Sequence, residues 1–251
     1  MLIDTHAHID FPHFDNDRDE MIKRAADENI KIIHSGLGSS GINAALELTG
    51  KYDTVYATLG LSPTEFSSDE ICETLKLIQK NKDNLKIIGI GEVGLDYHRV
   101  KDPEQRKLEH EIFKKFIELS DKINLPLIIH SRNAEKDCVK ILKEYDKSAI
   151  MHCFSGTIEL ALEAVSFGCL ISITTTVMNS EYRKKMVAEL PIEKMVLETD
   201  APYLSPIPGT RNESINIKLT ADAIAEIKGV DFETVARRTT RNAESFFGMK
   251  F

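Results

Sequence analysis

Eight short apolar runs, separated by longer stretches of mostly helical pattern, constrain what this chain can fold into more than any other feature. The runs are MLIDTH, KIIHSG, VYATLG, KIIGIGE, LPLIIH, AIMHCF, CLISIT and KMVLETD. They are nearly continuous in Ile, Val and Leu rather than alternating with polar residues. A strand with one wet face alternates; a strand covered on both faces does not, and parallel sheets flanked by helices are covered on both. The intervening segments read as helices. DRDEMIKRAADEN follows the candidate caps Asp15 and Asn16, SDEICETLKLIQKN has apolar residues at helical spacing behind Ser68, and DPEQRKLEHEIFKKFIELSDKI carries Pro103 in its first turn, where proline is tolerated. NAEKDCVKILKEY, TIELALEAVSFG and NSEYRKKMVAEL continue the series, with Gly168 as a helix stop. Beyond Ser214 two more helical stretches, ESINIKLTADAIAEIKG and DFETVARRTTRNAESFFG, are expected to close the wall.

Alternating strands and helices predict an α/β fold with a parallel sheet. The 251 residues match the usual length of a (β/α)₈ TIM barrel. No Pro/Gly/Ser-rich linker divides the chain and no fixed-period repeat runs through it, so residues 1–251 are read as a single barrel domain with an extra C-terminal helix. The competing architecture, a doubly wound open sheet, announces itself by a glycine-rich first βα turn. Here that turn is THAHID.

Composition narrows the function classes. No run of about 18 apolar residues is present, so no membrane span is expected. The chain enters MLIDTH without a basic region and an apolar stretch, and a cytoplasmic location is the expectation. The four cysteines, Cys72, Cys138, Cys153 and Cys169, show no CxxC spacing and read as reduced thiols; Cys153, beside His152, is the one near candidate chemistry. A net charge of −8 argues against broad electrostatic adhesion to nucleic acid. An anionic substrate then requires locally supplied positive charge, and metal ions can supply it.

The ends of the apolar runs carry that chemistry. His6 and His8 end the first, Glu92 the fourth, His130 the fifth, His152 the sixth and Asp200 the eighth. In a barrel these points converge on the C-terminal face, where active sites are built. Residues i and i+2 of a strand share a face, so His6 and His8 aim at one point. Four imidazoles and two carboxylates exceed the needs of one tetrahedral ion and suit two divalent cations bridged by a carboxylate. Glu92 is the natural bridge, and Asp200 is placed to take a proton from water. Imidazole suits Zn²⁺ and carboxylate suits Mg²⁺ or Mn²⁺, so the metal's identity stays open.

Around the face, Arg132 follows His130 by two positions, and Tyr203, Arg211 and Asn212 occupy the long loop APYLSPIPGTRNES. Substrate contact and ordinary loop solvation are both open for these four. Glu198 can share the face of Asp200, with a rim hydrogen bond as its expected role. His34 is read as core or rim, His110 as a surface residue, and the basic clusters YRKK and RRTTR as solvated helix faces.

DTHAHID, GEVGLDY, IIHSR, MHCFSG and LETDAPYL together resemble the motifs of the TatD-like metal-dependent deoxyribonucleases, in that family's order and over nearly the whole chain. The resemblance implies a TIM barrel, a divalent-metal centre held by His6, His8, Glu92, His130, His152 and Asp200, and hydrolysis of DNA phosphodiesters, often exonucleolytic on single strands. Two departures stand out. The family's HP after the third strand is SP here, with Ser62 in the histidine's place, and its basic loop is shortened to GTRNES. Both touch expected substrate contacts rather than metal ligands. The expected partner is DNA at single-stranded ends, and the expected assembly is a monomer or small homo-oligomer. The rival reading is another metal-dependent ester or amide hydrolase, for example a D-aminoacyl-tRNA deacylase. Many binuclear amidohydrolases use a carboxylated lysine as the bridge, and Glu92 in that place favours the nuclease branch.

Overall fold

The structure, a computed structural model, describes residues 1–251. Its eight strands are β1 (Leu2–Ala7), β2 (Ile30–Leu37), β3 (Val55–Gly60), β4 (Ile87–Asp96), β5 (Leu127–Arg132), β6 (Ala149–Met151), β7 (Leu170–Ile173) and β8 (Met195–Leu197). Each pairs in parallel with the next, and β1 pairs with β8, so the sheet closes into a TIM barrel. The helices α1 (Arg18–Asp27), α2 (Gly38–Lys51), α3 (Ser68–Lys80), α4 (Pro103–Ile123), α5 (Glu135–Glu144), α6 (Ile158–Ser166), α7 (Glu181–Glu189), α8 (Ile217–Lys228) and α9 (Phe232–Phe247) form the outer ring. None is long and apolar enough to cross a membrane.

Local chemistry explains several helix starts. Ser67, Asp102, Thr157 and Asp231 each accept a hydrogen bond from a first-turn backbone N–H, satisfying a donor that a helix start leaves without an internal partner. Pro103 takes the first turn of α4, where its missing N–H removes nothing. One helix lies outside the sequence pattern: α2, whose Gly38, Gly41 and Gly50 lower its intrinsic propensity and whose opening SSG resembles a loop. Its buried stripe of Ile42, Ala45 and Leu48 against the barrel outweighs that preference.

Two hydrophobic layers hold the molecule. The larger lies between the strands and the helix ring and includes Phe14, Phe113, Phe116 and Phe154. The smaller fills the barrel's N-terminal end with one residue from each strand: Ile3, Ile33, Tyr56, Ile88, Ile128, Ile150, Leu170 and Val196. Phe246, Phe247, Met249 and Phe251 close it from below, and Phe251 meets Tyr56 edge-on at 4.8 Å between centroids. The opposite end holds the polar residues.

Two strands are irregular where the site is built. The β1–β2 register shifts between Asp4 and Ala7, and the β4–β5 register shifts between Ile90 and Val93. Glu92 therefore does not end its strand, as the sequence pattern implied. It sits in the middle of β4, which continues to pair with β5 as far as Asp96 and Arg132. The run IIGIGEVGLD hides this because its polar residue is followed by more buried apolar chain.

Candidate metal centre

His6, His8, Glu92, His130, His152 and Asp200 come together at the C-terminal end of the barrel. His6 Nε2 and His8 Nε2 lie 3.2 Å apart, and Glu92 Oε2 lies 2.9 Å from the first and 3.4 Å from the second. Asp200 Oδ1 is 3.9 Å from His6 Nε2 and 3.7 Å from His8 Nε2. On the other side, Glu92 Oε1 lies 3.0 Å from His130 Nδ1; His152 Nε2 lies between, 4.0 Å from Glu92 Oε2 and 3.9 Å from Asp200 Oδ1, the two oxygens that also face His6 and His8. Glu92 thus presents one oxygen to the His6–His8 pair and the other to His130.

The donor set fits metal cations. His130 Nδ1 and Glu92 Oε2 are buried and make no hydrogen bond of normal geometry. Atoms bound to one ion at about 2.0–2.2 Å sit roughly 3–4 Å apart, the separation seen between these donors. Two of the triads that can hold an ion, His6–His8–Glu92 and Glu92–His130–His152, share Glu92. Imidazole lone pairs and carboxylates crowded out of water require positive charge among them, from protons or from metal.

With protons as that charge, the site polarises strongly. Burial works against a charge on His130, but its contacts with Asp96 and Glu92 overcome that and raise its pKa to about 9. Burial likewise opposes His152, and Glu198 overrides it, raising the pKa to about 10. His6, buried beside His152, is pushed down to about 3. Burial favours neutral Glu92, yet the surrounding imidazoles hold it well below the usual carboxylate range. Burial raises Asp200 to about 6, with His152 and His8 opposing the rise.

Two ligand-type histidines have carboxylates behind them. Asp96 Oδ2 lies 3.2 Å from His130 Nε2, and its Oδ1 accepts the Arg99 backbone N–H at 2.9 Å. Glu198 Oε2 lies 2.9 Å from His152 Nδ1, and Oε1 accepts the Cys153 backbone N–H at 2.7 Å. Such partners fix ring orientation and leave the other nitrogen free to bind metal. Glu198 is thus not on the rim; it is fully buried. Asp96 escaped the sequence pattern, although it stands four residues after Glu92 in the same strand. Neither of the remaining histidines considered earlier joins the cluster. His34 is core, with Nδ1 3.1 Å from the Ala7 carbonyl, and His110 is half-buried against the Tyr97 hydroxyl at 2.6 Å.

A cavity of about 480 Å³ opens over the cluster. Arg132, Tyr203 and Ser62 line it, together with Phe11, Arg99 and Arg183, which the sequence did not single out as contacts of a substrate. Arg183 belongs to YRKK, yet it turns away from the solvated face and donates to the Phe154 carbonyl at 3.1 Å. Arg211 and Asn212 are not among the lining residues. Arg211 pairs with Asp17 and Glu213, and Arg24 joins the same carboxylates, so its charge is engaged in tying the β8 loop to α1. Asn212 is buried, donates to the Thr199 carbonyl at 2.9 Å and accepts the Glu213 backbone N–H at 3.0 Å. These partners lie up to 194 residues away in the chain, beyond any local pattern.

The model of the family described as TatD related DNase matches residues 3–248. The chain belongs to the TatD family. An uncharacterized metal-dependent hydrolase of Methanocaldococcus jannaschii is 43% identical over 247 residues, covering 98% of this chain and 96% of that one. Human deoxyribonuclease TATDN3 is 33% identical, covering 98% of this chain and 94% of its own. The crystal structure of YJJV, a TatD homologue from Escherichia coli K12, superposes with a TM-score of 0.90 at 27% identity, covering 99% and 98% of the two chains. This TatD member therefore shares its barrel with its relatives along almost their full length.

Proposed function

We propose that this TatD-family chain is a metal-dependent phosphodiesterase that hydrolyses DNA, removing nucleotides from the 3′ end of single strands at a two-ion centre. The observation that carries the reading is the placement of Glu92, with one carboxylate oxygen beside the His6–His8 pair and the other beside His130. His6, His8 and Asp200 would hold one ion, His130 and His152 the other, and Glu92 both. When bound, such ions polarise a phosphoryl oxygen and lower the pKa of water. The name of the human relative, a deoxyribonuclease, supports DNA as the substrate.

The chain's own residues supply the rest. Asp200 lines the cavity beside the His6–His8 pair, where it is placed to take a proton from attacking water and later return it. Asp96 and Glu198 keep His130 and His152 in fixed orientation. Arg99, Arg132 and Arg183 bring positive charge to the mouth of an acidic molecule, where an anionic backbone needs it.

The test is cleavage of end-labelled single-stranded DNA, duplex DNA and a D-aminoacyl-tRNA by chelator-treated protein before and after Mg²⁺ or Mn²⁺ is restored. Mononucleotide release from single strands that stops in chelator and returns with metal is the expected outcome. Full-rate cleavage in strong chelator refutes the metal-dependent mechanism. Deacylation without cleavage of any DNA refutes the nuclease assignment alone.

A further inference from the structure

The mouth of the cavity has two chemically opposite sides. Phe11 follows β1 and Tyr203 follows β8, two strands that pair with each other. Arg132 ends β5 and Arg99 follows β4, which also pair with each other. In the closed order β1 to β8, those two strand pairs stand across the barrel from one another. The candidate metal cluster lies between an aromatic side and a side with two arginines, and Arg183 of α7, after β7, adds a third cation beside the aromatic one.

The aromatic side is built rather than incidental. Phe11 stacks on the imidazole of His8, with centroids 4.8 Å apart and planes 16° from parallel, so its ring is held in place. Tyr203 meets Phe11 at 6.1 Å and 79°, and the two rings form a floor and a wall. His13 approaches Tyr203 from a third direction at 6.0 Å. Tyr203 nevertheless remains 47% exposed at the edge of a cavity whose floor is carboxylate and imidazole.

We propose that Phe11 and Tyr203 form a stacking subsite for one unpaired nucleobase of the DNA strand whose phosphates face Arg99 and Arg132. The inference rests on the nuclease reading for its substrate class. A nucleotide carries an apolar, polarisable ring at one end and an anion at the other, and the mouth offers a matching surface to each. Stacking uses the π-face that every base has, so the subsite tolerates any sequence. It accepts a base only when that base has left the duplex, because a paired base hides both faces. The subsite therefore selects strand ends and single strands over intact duplex without reading a base edge.

The experiment follows the fluorescence of 2-aminopurine, which stacking quenches, at the terminal nucleotide of a short single-stranded DNA with cleavage-resistant phosphorothioate links. Metal-loaded wild-type protein is compared with Tyr203→Leu, Tyr203→Phe and Phe11→Leu, with metal content measured on each. Wild type is expected to quench the probe. Tyr203→Leu is expected to lose the quench and bind about 10-fold more weakly, within the range for loss of one stacked base. Tyr203→Phe keeps the ring and keeps the quench. Phe11→Leu, read only if its metal content is intact, loses it as Tyr203→Leu does. A quench that survives both leucine variants overturns the subsite, as does tight binding by wild type with no quench. The two readings separate cleanly: DNA cleavage without a ring-dependent quench refutes the subsite alone, and a ring-dependent quench without cleavage of any DNA supports it while refuting the nuclease.

Discussion

At the scale of single residues, the roles of the three central carboxylates follow from what each oxygen touches. Glu92 serves two groups of histidines, so its loss should release more metal than loss of any one histidine. Elemental analysis after dialysis should find Glu92→Ala the most depleted of the ligand variants. Retention of full metal by Glu92→Ala, with His130→Ala empty, would refute the bridge. Asp200 and Glu198 lie two residues apart, and either can be drawn as the base on paper. The structure separates them: both Glu198 oxygens are engaged, by His152 Nδ1 and the Cys153 N–H, and the residue is buried, whereas Asp200 lines the cavity. Asp200→Asn should therefore slow single-turnover cleavage by about 10²–10⁴ at saturating metal, the range for a positioned general base. Glu198→Gln should weaken metal affinity about 10- to 100-fold, as loss of a histidine's carboxylate partner does, and recover as metal is raised. A Glu198→Gln enzyme that stays dead at saturating metal while Asp200→Asn turns over normally would reverse the two roles.

At the scale of elements, β4 is the one that needs most explanation, because it carries Glu92 at mid-strand through a register shift. Its neighbour β3 makes room with Gly60. A Cβ added there would lie 2.6 Å from Gly91 C and 2.8 Å from Glu92 N, and closer still to the Glu92 carbonyl oxygen. These are backbone atoms and cannot swing aside as a side-chain tip can. Gly60→Ala should displace Glu92 by a fraction of an ångström and reduce kcat/KM by up to about 10²-fold, the scale of effect expected from a small misplacement of catalytic groups. Wild-type rate and metal content in a folded Gly60→Ala protein would show that β4 has slack there. The same strand marks the limit of what could be read in advance. The alternation of runs made the barrel legible, and strand-end histidines made the convergence of His6, His8, His130 and His152 legible. Asp96 was hidden because β4 outruns its apolar signal, α2 because three glycines dilute its helical pattern, and the engagement of Arg211 because Asp17 lies far away in the chain.

At the scale of the whole molecule, the barrel divides its two tasks between its ends. The C-terminal end gathers charges and orphaned polar atoms that oppose folding unless cations join them. The N-terminal end compensates with the apolar layer drawn from all eight strands, sealed by Phe246, Phe247, Met249 and Phe251. Phe247 meets Phe246 at 5.2 Å and Phe251 at 6.2 Å between centroids, both edge-on, so it joins the seal's rings to one another. If stability and chemistry are separated this way, damage to the seal should lower one and spare the other. Phe247→Ala should reduce unfolding free energy by about 2 kcal/mol, below the roughly 3–5 kcal/mol typical of a fully buried phenylalanine because this one keeps partial exposure. Denaturant titration of the metal-loaded protein measures the first quantity, and kcat/KM well below the unfolding transition measures the second. A loss of stability with kcat/KM unchanged fits the division. A fall in kcat/KM at full folding would mean that packing at the barrel's floor is transmitted through the strands to the ligands at its mouth, and the two ends would then have to be treated as one coupled core.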